Sequence, residues 1–312
     1  LPVVGVALYA KRHKILYYKK RDGHLIAKGF TGGAEETISN LTILNIIEVV
    51  WSPDQKRAVI IYQDGELVKK FIAEATSTPK VAFLPQDGAS PAWSPDAKTL
   101  FWFQRQNQNY TLVSSGPDGK GQRSRGFTSP IPDLGLHLLT PELAAIAPKT
   151  ISFFETPLFI LNLRTLAQNT IAVNFGMTTA GANDPAAQFL AYSPTNRIGA
   201  LQELHTLDVK TGKDTSWPVK TVAEKCAFAS KATHLFCAVP RTPPERDLPE
   251  SWFQGKTSFS DTIVRMNLGT GKAEQIFDEG DYDATNLVIS DDGKRVFFID
   301  KKTGFLYGLS LE

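Results

Sequence analysis

The chain has 312 residues, of which 42% are hydrophobic, so it is long enough to bury a large core in one or two domains. Its 34 basic and 32 acidic residues nearly cancel, and the absence of a strong positive field argues against nucleic acid as the partner. No apolar run reaches the roughly 18 residues that span a bilayer, and residue 1 is Leu, so we expect any signal or membrane anchor to lie upstream.

A repeated segment dominates the pattern of the chain. Its clearest copies are VVWSPDQKRAVIIY (49–62) and PAWSPDAKTLFWF (91–103), which share a Trp-Ser-Pro-Asp turn between two apolar runs. In chain order, the copies lie at 4–18, 49–62, 91–103, 134–147, 181–192, 225–238 and 286–300. The runs are too short for buried helices and are rich in β-branched and aromatic residues. Each copy therefore predicts a hairpin of two strands.

Each hairpin is followed by an alternating polar and apolar segment, such as HLIAKGF, ELVKKFIAE or FLYGLSL. Several of these segments lead into a Gly-containing turn and a short outer strand. Units of about 45 residues with this order of strands are typical of β-propeller blades. We therefore predict an all-β, single-domain β-propeller over 1–312, most simply with seven four-stranded blades, while six or eight blades also fit the spacing.

The predicted blades are 1–40, 41–85, 86–128, 129–175, 176–219, 220–277 and 278–312. The last blade ends at FLYGLSLE and leaves no room for an outer fourth strand. Two roles are open for the N-terminal segment Leu1–Val6. It either supplies that missing strand and closes the ring, or forms the inner strand of the first blade.

The motifs WSPDQK (51–56) and WSPDAK (93–98) resemble the W-S-P-D-G-K repeat of TolB-type, WD40-like β-propellers. A closer resemblance covers nearly the whole chain and is to membrane-anchored propeller proteins of patescibacterial (candidate-phylum) bacteria. It is carried by 14–54, EKCAFASKATHLFCAVP (224–240), LPESWFQGKTSFSDTI (248–263) and 296–311. The chain departs from that pattern at 227–229, where Ala-Phe-Ala replaces a Val-Trp-Ser-like run, and at Tyr307 and Gly308. The resemblance implies an extracytoplasmic, membrane-tethered propeller and no particular mechanism.

The sequence shows no motif of a known catalytic or metal-binding class. The five histidines are scattered, and only His234 lies near a cysteine, Cys237. Residues three apart on a strand point to opposite faces, which argues against a zinc site. Hydrolase, zinc-protease, dinucleotide-binding and Walker motifs do not occur. We therefore predict no catalytic residues and, calcium aside, no metal or cofactor.

Basic residues cluster in the first predicted blade. They are Lys11, Arg12, His13, Lys14, Lys19, Lys20, Arg21 and Lys28. Such a cluster suits an acidic surface, for example lipid headgroups or a polyanionic wall polymer, whereas solvated turns and strand faces explain it more simply. No array of aromatic residues interleaves with these side chains, which again argues against nucleic acid.

The segment RTPPERDLPESWFQGKTSFSD (241–261) interrupts the sixth predicted blade between its second and third strands. Loops of this length in compact domains are usually functional or disordered, and three prolines and three aromatic residues argue against disorder. The segment is therefore a candidate for binding. The alternative is a structural flap in which Trp252 and Phe259 pack on the edge of the blade.

Strand alternation places the loop between second and third strands on the same face as the connections between blades. The acidic connection FDEGDYDATN (277–286) should therefore lie beside the 241–261 segment. Carboxylates are the ligands that Ca²⁺ prefers, so Asp278, Asp281 and Asp283 form a candidate calcium site. The EF-hand loop pattern is missing, and a solvated acidic turn is the alternative. The candidate binding face comprises Glu245, Arg246, Asp247, Trp252, Phe253, Gln254, Phe259, Asp281 and Asp283.

The two cysteines of the chain, Cys226 and Cys237, flank the turn of the sixth predicted hairpin. If Lys231 and Ala232 form a two-residue turn, the cysteines lie directly opposite each other, within reach of a disulfide. An exported domain would meet oxidising conditions that favour this bond. Two buried free thiols are the alternative, because a turn one residue longer would point the cysteines to opposite faces.

Together, these patterns favour a non-enzymatic, extracytoplasmic propeller that binds an envelope protein or a surface polymer through the face bearing the 241–261 segment. One alternative is an enzyme that acts on polysaccharides through a pair of carboxylates near the central channel. Another is a sensor that binds a small ligand or a cation on the same fold. No nucleic-acid partner is expected, and the native precursor is expected to be tethered to a membrane.

Overall fold

The computed structural model describes residues 1–9, 13–149, 153–182 and 188–311, which form an almost purely β structure. The strands of the first three sheets are β1 (Val3–Tyr9), β2 (Lys14–Lys19), β3 (Leu25–Gly29), β4 (Gly32–Ser39), β5 (Ile46–Trp51), β6 (Arg57–Asp64), β7 (Leu67–Glu74), β8 (Val81–Phe83), β9 (Gly88–Trp93), β10 (Leu100–Gln106), β11 (Asn109–Ser115) and β12 (Arg123–Ser129). Those of the fourth and fifth sheets are β13 (Leu134–Leu138), β14 (Leu143–Pro148), β15 (Thr156–Asn162), β16 (Gln168–Gly181), β17 (Phe189–Thr195), β18 (Leu204–Asp208) and β19 (Lys213–Trp217).

The sixth and seventh sheets contain β20 (Cys226–Phe228), β21 (His234–Pro240), β22 (Asp261–Asn267), β23 (Lys272–Phe277), β24 (Ala284–Ile289), β25 (Arg295–Asp300) and β26 (Leu306–Ser310). Helical structure in the described residues is limited to one short helix, α1 (Glu250–Phe253), and the 3₁₀ turns Ala223–Lys225 and Ser230–Ala232. No helix in this part of the chain is long and apolar enough to cross a membrane.

Each sheet is an antiparallel meander in which consecutive strands pair. The long strand β16 serves two sheets, because its first half pairs with β15 and its second half pairs with β17. At the change of sheet, Gly176 has a φ of +49°, and a Cβ atom there would lie 2.3 Å from Thr195 Oγ1. Glycine is therefore required where the chain passes from the fourth sheet to the fifth.

The sheets pack face to face around a ring, and each pair of neighbours encloses its own apolar cluster. Between the second and third sheets, for example, Val59, Ile72, Trp93 and Trp102 are buried together. The hydrophobic core is thus distributed over the interfaces between blades, which explains why the second strand of each hairpin is apolar on both faces. The all-β propeller predicted from the repeat is confirmed.

The ring closes by side-chain packing between the first and seventh sheets. Strand β1 pairs with β2, so the N-terminal segment is the inner strand of the first sheet and does not complete the last one. Val3 and Ile15 pack against Phe297 and Ile299 of β25, and the Val3 amide donates a hydrogen bond to the Gly304 carbonyl at 2.8 Å. Of the two predicted roles of the N-terminus, the structure therefore shows the second.

The tryptophans of the repeat join neighbouring blades. The Trp51 indole N–H donates to the Gly5 carbonyl of the preceding inner strand at 2.8 Å, and the Trp93 indole donates to the Val50 carbonyl at 3.0 Å. Each bond links the indole to a backbone carbonyl of the preceding inner strand and so gives both buried or half-buried groups a partner. The repeated Trp therefore has a structural role, and its spacing in the sequence matches the spacing of the blades.

In the copies at 49–62 and 91–103, the Ser-Pro-Asp part of the repeat builds the turn of the hairpin. Ser94 Oγ donates to Asp96 Oδ1 at 2.6 Å and accepts a hydrogen bond from the Thr99 amide at 3.0 Å. The residue after the Asp is left-handed, with a φ of +55° at Gln55, +59° at Ala97 and +70° at Gly293. Glycine adopts this conformation without strain, so the first two copies of the turn retain backbone strain.

The predicted disulfide is present, linking Cys226 and Cys237. These residues are directly opposite each other in the β20–β21 pair, as are Phe228 and Leu235. The predicted two-residue turn was wrong, because the Ala229 amide bonds to the His234 carbonyl and the loop between them contains a 3₁₀ turn. Widening the loop by one residue on each side leaves the pairing unchanged, so the cysteines still share a face.

Candidate functional site at the insertion face and the central channel

The insertion (residues 241–260, between β21 and β22) lies across one face of the ring from the fifth sheet to the seventh. The amides of Asp247 and Leu248 donate to the carbonyls of Ile198 and Gly199, at 3.0 Å each, in a loop of the fifth sheet. At its other side, Arg241 pairs with Asp278 at 2.7 Å. We call this side of the ring, with the insertion and the connection 278–283, the insertion face.

The base of the insertion is an aromatic stack buried against the loops beneath it. The rings of Trp252 and Phe259 are parallel to within 8°, with centroids 5.9 Å apart. Both rings are buried with Leu201, Val222 and Leu248 in one apolar cluster. The predicted structural flap is therefore an accurate description of these two aromatic residues.

A buried ammonium group lies beneath this stack. Lys225 is fully buried, and its Nζ lies 2.7 Å from Asp261 Oδ2 and 2.5 Å from Asp283 Oδ1. The same atom lies 5.0 Å from the centre of the Trp252 ring and 4.8 Å from that of Phe259. A buried charge is stable only with close partners, and here two carboxylates and two aromatic faces supply them. Lys225 therefore ties the insertion to the sixth and seventh sheets.

Asp283 is the acceptor that organises the insertion. Its carboxylate receives the indole N–H of Trp252 at 3.0 Å and the amide N–H of Phe259 at 3.1 Å, besides the ammonium of Lys225. The neighbouring Asp261 accepts the Ala284 amide at 2.7 Å. Burial raises the pKa of Asp261 to about 6, against the lowering effect of Lys225. The cluster thus holds a charged network inside an otherwise apolar layer.

Lys301 covers the outer side of the stack. Its Nζ lies 4.0 Å from the centre of the Trp252 ring and donates to the Trp252 carbonyl. Burial lowers the pKa of this lysine. The sequence pattern identifies none of Lys225, Asp261 and Lys301 as binding or structural groups. A lysine beside a hairpin strand is expected to be solvated, and only the folded structure shows that it is buried.

The predicted binding residues separate into buried and exposed groups. Trp252, Phe259 and Asp283 are buried and support the insertion from within. The exposed group is Glu245, Arg246, Asp247, Phe253, Gln254 and Asp281. Phe253 is 43% exposed even though it adjoins the buried Trp252 in helix α1. The surface available to a partner therefore consists of one aromatic ring and several charged or amide side chains.

The acidic connection lies beside the insertion, as predicted, since the Asp261 amide donates to the Tyr282 carbonyl at 2.8 Å. Its three aspartates have basic partners. Asp278 binds Arg241, Asp281 binds Lys302 at 2.6 Å and Asp283 binds Lys225. No three His, Cys, Asp or Glu side chains of the described residues are grouped so as to hold a metal ion. These ion pairs occupy the carboxylates of the calcium candidate.

Two residues of the predicted basic cluster, Lys11 and Arg12, lie outside the described residues. Two others, Lys14 and Lys19, pair with glutamates of β4 at 2.5 Å and 2.6 Å. Three further residues of the cluster are exposed in turns, namely His13, Lys20 and Arg21. This part of the first sheet therefore has the character of a solvated surface with local ion pairs.

The central channel opens toward the insertion and has a volume of about 820 Å³. Its wall is formed by inner strands β5, β9 and β13, the second half of β16 and the turn Ala223–Lys225, and Phe253 lies at its mouth. The polar groups of the wall include His137, Lys149, Thr179 and Glu224. Since these residues come from the fourth, fifth and sixth sheets, no short sequence motif brings them together.

The channel contains two groups with shifted protonation. Desolvation by the surrounding protein raises the pKa of Glu224 to about 7, and Lys149 and the Thr178 hydroxyl oppose the rise. The residue is nevertheless exposed where it lines the channel. Burial and Lys149 lower the pKa of His137 to about 4, and its Nε2 lies 3.0 Å from Thr179 Oγ1. In both residues burial favours the neutral form of the side chain.

No family model matches the sequence, and no curated protein matches it. Solved structures show the fold. An oligogalacturonate lyase in complex with manganese has a TM-score of 0.68 at 12% identity, over 98% of this chain and 88% of that chain. The β-propeller domain of the Trilobed protease from Pyrococcus furiosus, described as having an open velcro topology, has a TM-score of 0.64 at 10% identity, over 100% and 97%.

TolB from Acinetobacter baumannii has a TM-score of 0.52 at 12% identity, over 98% of this chain and 76% of that chain. At these identities the likeness shows that the chain has a TolB-like β-propeller fold. Propellers support unrelated functions, so a function for this chain has to be argued from its own side chains.

Proposed function

We propose that the chain is a non-enzymatic, extracytoplasmic interaction propeller, which binds an envelope protein or a surface polymer through the insertion face. The observation that carries the proposal is the construction of the insertion as a rigid platform. Lys225, Asp261 and Asp283 anchor it from beneath. Phe253 and the charged side chains of 245–247 stay exposed above.

A rigid platform favours binding because little conformational entropy is lost when the partner docks. An exposed aromatic ring surrounded by charged and amide groups has the composition of an interaction hot spot with a polar rim. The disulfide between Cys226 and Cys237 supports a location outside the cytoplasm, where such bonds persist. A TolB-like fold agrees with that location.

Site-specific photo-crosslinking tests this proposal. Benzoylphenylalanine replaces Phe253 in one variant and Lys98 in a matched control, since Lys98 is exposed in a hairpin turn on the opposite face of the ring. Each variant is irradiated with isolated cell envelopes, and adducts are identified by mass spectrometry after protease or glycosidase digestion. We expect a discrete adduct from position 253 and none from position 98. Equal labelling at both positions, or none at 253, would refute the proposal.

A second candidate function is the binding of a small polar ligand in the channel, as a sensor or as a polysaccharide-acting enzyme. The observation that favours it is Glu224, whose pKa of about 7 is of the kind found at functional sites. Melting temperatures with a panel of ions, acidic sugars and wall fragments test it, because a ligand that binds only the folded state raises the midpoint. A shift that disappears in Glu224→Gln supports this candidate, and turnover of the ligand would make it an enzyme.

A further inference from the structure

The outer edge of the seventh sheet is open. In the described residues, this sheet has three strands and ends at β26, whereas each of the other sheets has a fourth, outer strand. Strand β26 pairs with β25 on one side, and the same residues show no strand pairing on its other side. A strand with a free edge offers a row of backbone donors and acceptors to another extended chain.

Two hydrogen bonds at the ends of the β25–β26 ladder identify which groups of β26 point outward. The Asp300 amide donates to the Phe305 carbonyl and the Leu311 amide donates to the Lys294 carbonyl, both at 2.9 Å. Hydrogen-bonded and non-hydrogen-bonded pairs alternate along an antiparallel ladder. Leu306, Gly308 and Ser310 therefore direct their N–H and C=O groups to the free edge.

A cleft of about 650 Å³ runs beside this edge, between the first and seventh sheets. Its apolar wall includes Tyr17, Phe30 and Phe297. Gly308 lies opposite Phe297 in the β25–β26 pair, and a Cβ atom there would lie 2.9 Å from the Phe297 ring, so this ring covers the glycine. Phe305, immediately before β26, is 43% exposed. The volume of the cleft leaves room for side chains that an outer strand would direct toward the first sheet.

The charge of the cleft is positive. Its lining contains Lys19, Lys28 and Arg295 but one acidic residue, Glu35. Glu35 is already engaged, since it accepts the Tyr17 hydroxyl at 2.9 Å and pairs with Lys19 at 2.6 Å. An incoming strand that carries an acidic side chain on its cleft side would therefore be favoured over a neutral or basic one.

We propose that β26 accepts an extended, acidic segment of another protein as the fourth strand of the seventh sheet. The segment would run along Leu306–Ser310 and form hydrogen bonds to its free edge. Every second side chain of the segment, apolar or acidic, would enter the cleft, and the side chains between them would face outward. Backbone bonds supply affinity in this mode, and the cleft supplies specificity. This surface lies on the outer rim of the ring, so the proposal is independent of the insertion face.

The probe is the blocked peptide TVTETVT, whose two valines and glutamate share one face of a strand. It is titrated to about 2 mM into the isotope-labelled full chain, and amide shifts and hydrogen exchange are recorded by NMR. We expect shifts confined to β26 and the cleft, and slower exchange at Leu306, Gly308 and Ser310. The peptide TVTKTVT should bind at least about fivefold more weakly, because its lysine meets a positive cleft.

A pair of variants tests the edge itself. Ser310→Pro removes one outward N–H and should weaken TVTETVT about fivefold, whereas Ser310→Ala keeps the N–H and should bind as the original chain does. The peptide comparison on the unmodified chain does not depend on the folding of any variant. The proposal is overturned by an absence of shifts at about 2 mM, by equal binding of the two peptides, or by shifts on the insertion face instead of β26.

Discussion

Lys225→Met is the sharpest test of how the insertion is held. Methionine retains much of the apolar length of the side chain but removes the ammonium that lies 2.7 Å from Asp261 and 2.5 Å from Asp283. All three side chains are almost completely buried, so water does not replace the lost partner. Removing one member of a buried ion pair typically costs about 3–5 kcal/mol. We expect a loss of that size in the free energy of unfolding at pH 8.

The loss should depend on pH in a defined direction. Without Lys225, protonation of Asp261 becomes more favourable in the folded state, so its folded pKa rises further above the unfolded value of about 3.9. A carboxyl whose folded pKa is raised contributes stability at low pH that is lost as the pH rises through that pKa. The pKa of Asp261 is already raised to about 6 with Lys225 in place. Lys225→Met should therefore be less destabilising at pH 5 than at pH 8.

Urea denaturation at both pH values, followed by circular dichroism and tryptophan fluorescence, measures this effect. Lys272→Met is the matched control, since Lys272 is exposed on β23 of the same sheet, and its midpoint should change little. Hydrogen exchange should also quicken at Phe259, whose amide donates to Asp283. A loss below about 1 kcal/mol at pH 8, or an equal loss at both pH values, would show that the buried cluster does not anchor the insertion.

Three further predictions concern other parts of the ring. Replacing Cys226 and Cys237 together by alanine should lower the free energy of unfolding by about 3 kcal/mol, because the unfolded chain regains the entropy of the short loop that the bond closes. A change in the urea midpoint equivalent to under 1 kcal/mol would contradict this prediction. Ala97→Gly should raise stability by about 0.5–1 kcal/mol, because Ala97 has a φ of +59°, and an unchanged or lower melting midpoint would argue against strain in that turn. Glu224→Gln should flatten the fall in the free energy of unfolding between pH 4.5 and 7, because the folded pKa of about 7 exceeds the ordinary value of 4.5. A dependence of stability on pH identical to that of the original chain would refute the raised pKa of Glu224.

The repeated hairpin was predictable because its determinants are local. Trp51 and Trp93 recur with the spacing of the blades, and the Ser-Pro-Asp turn bonds to itself within a few residues. The pairing of Cys226 with Cys237 followed from the same logic, since register in a hairpin depends on the parity of the loop. The size of the turn itself was not predictable, because Ser230–Ala232 adopts a 3₁₀ turn that the pattern does not distinguish from a two-residue one.

The insertion was recognisable from its length and composition, whereas the roles of its side chains were not. Trp252 and Phe253 are neighbours in sequence, yet one is buried and the other 43% exposed. Their separation depends on helix α1 and on where Asp283 and Lys301 meet the indole. Lys225 is the clearest case, because its residue type predicts exposure and only the surrounding sheets make it fully buried.

By itself, the sequence determined the all-β propeller, the hairpin register, the opposed positions of the two cysteines and the position of the insertion. These features follow from strand periodicity, turn chemistry and loop parity, which act over a few residues. Only the tertiary structure decided the closure of the ring, the burial of Lys225 between Asp261 and Asp283, the placement of His137 and Glu224 in the wall of one channel, and the open edge of β26. Those groups come together because the chain returns on itself around a ring, and spacing within one repeat contains no information about which side chains then face each other.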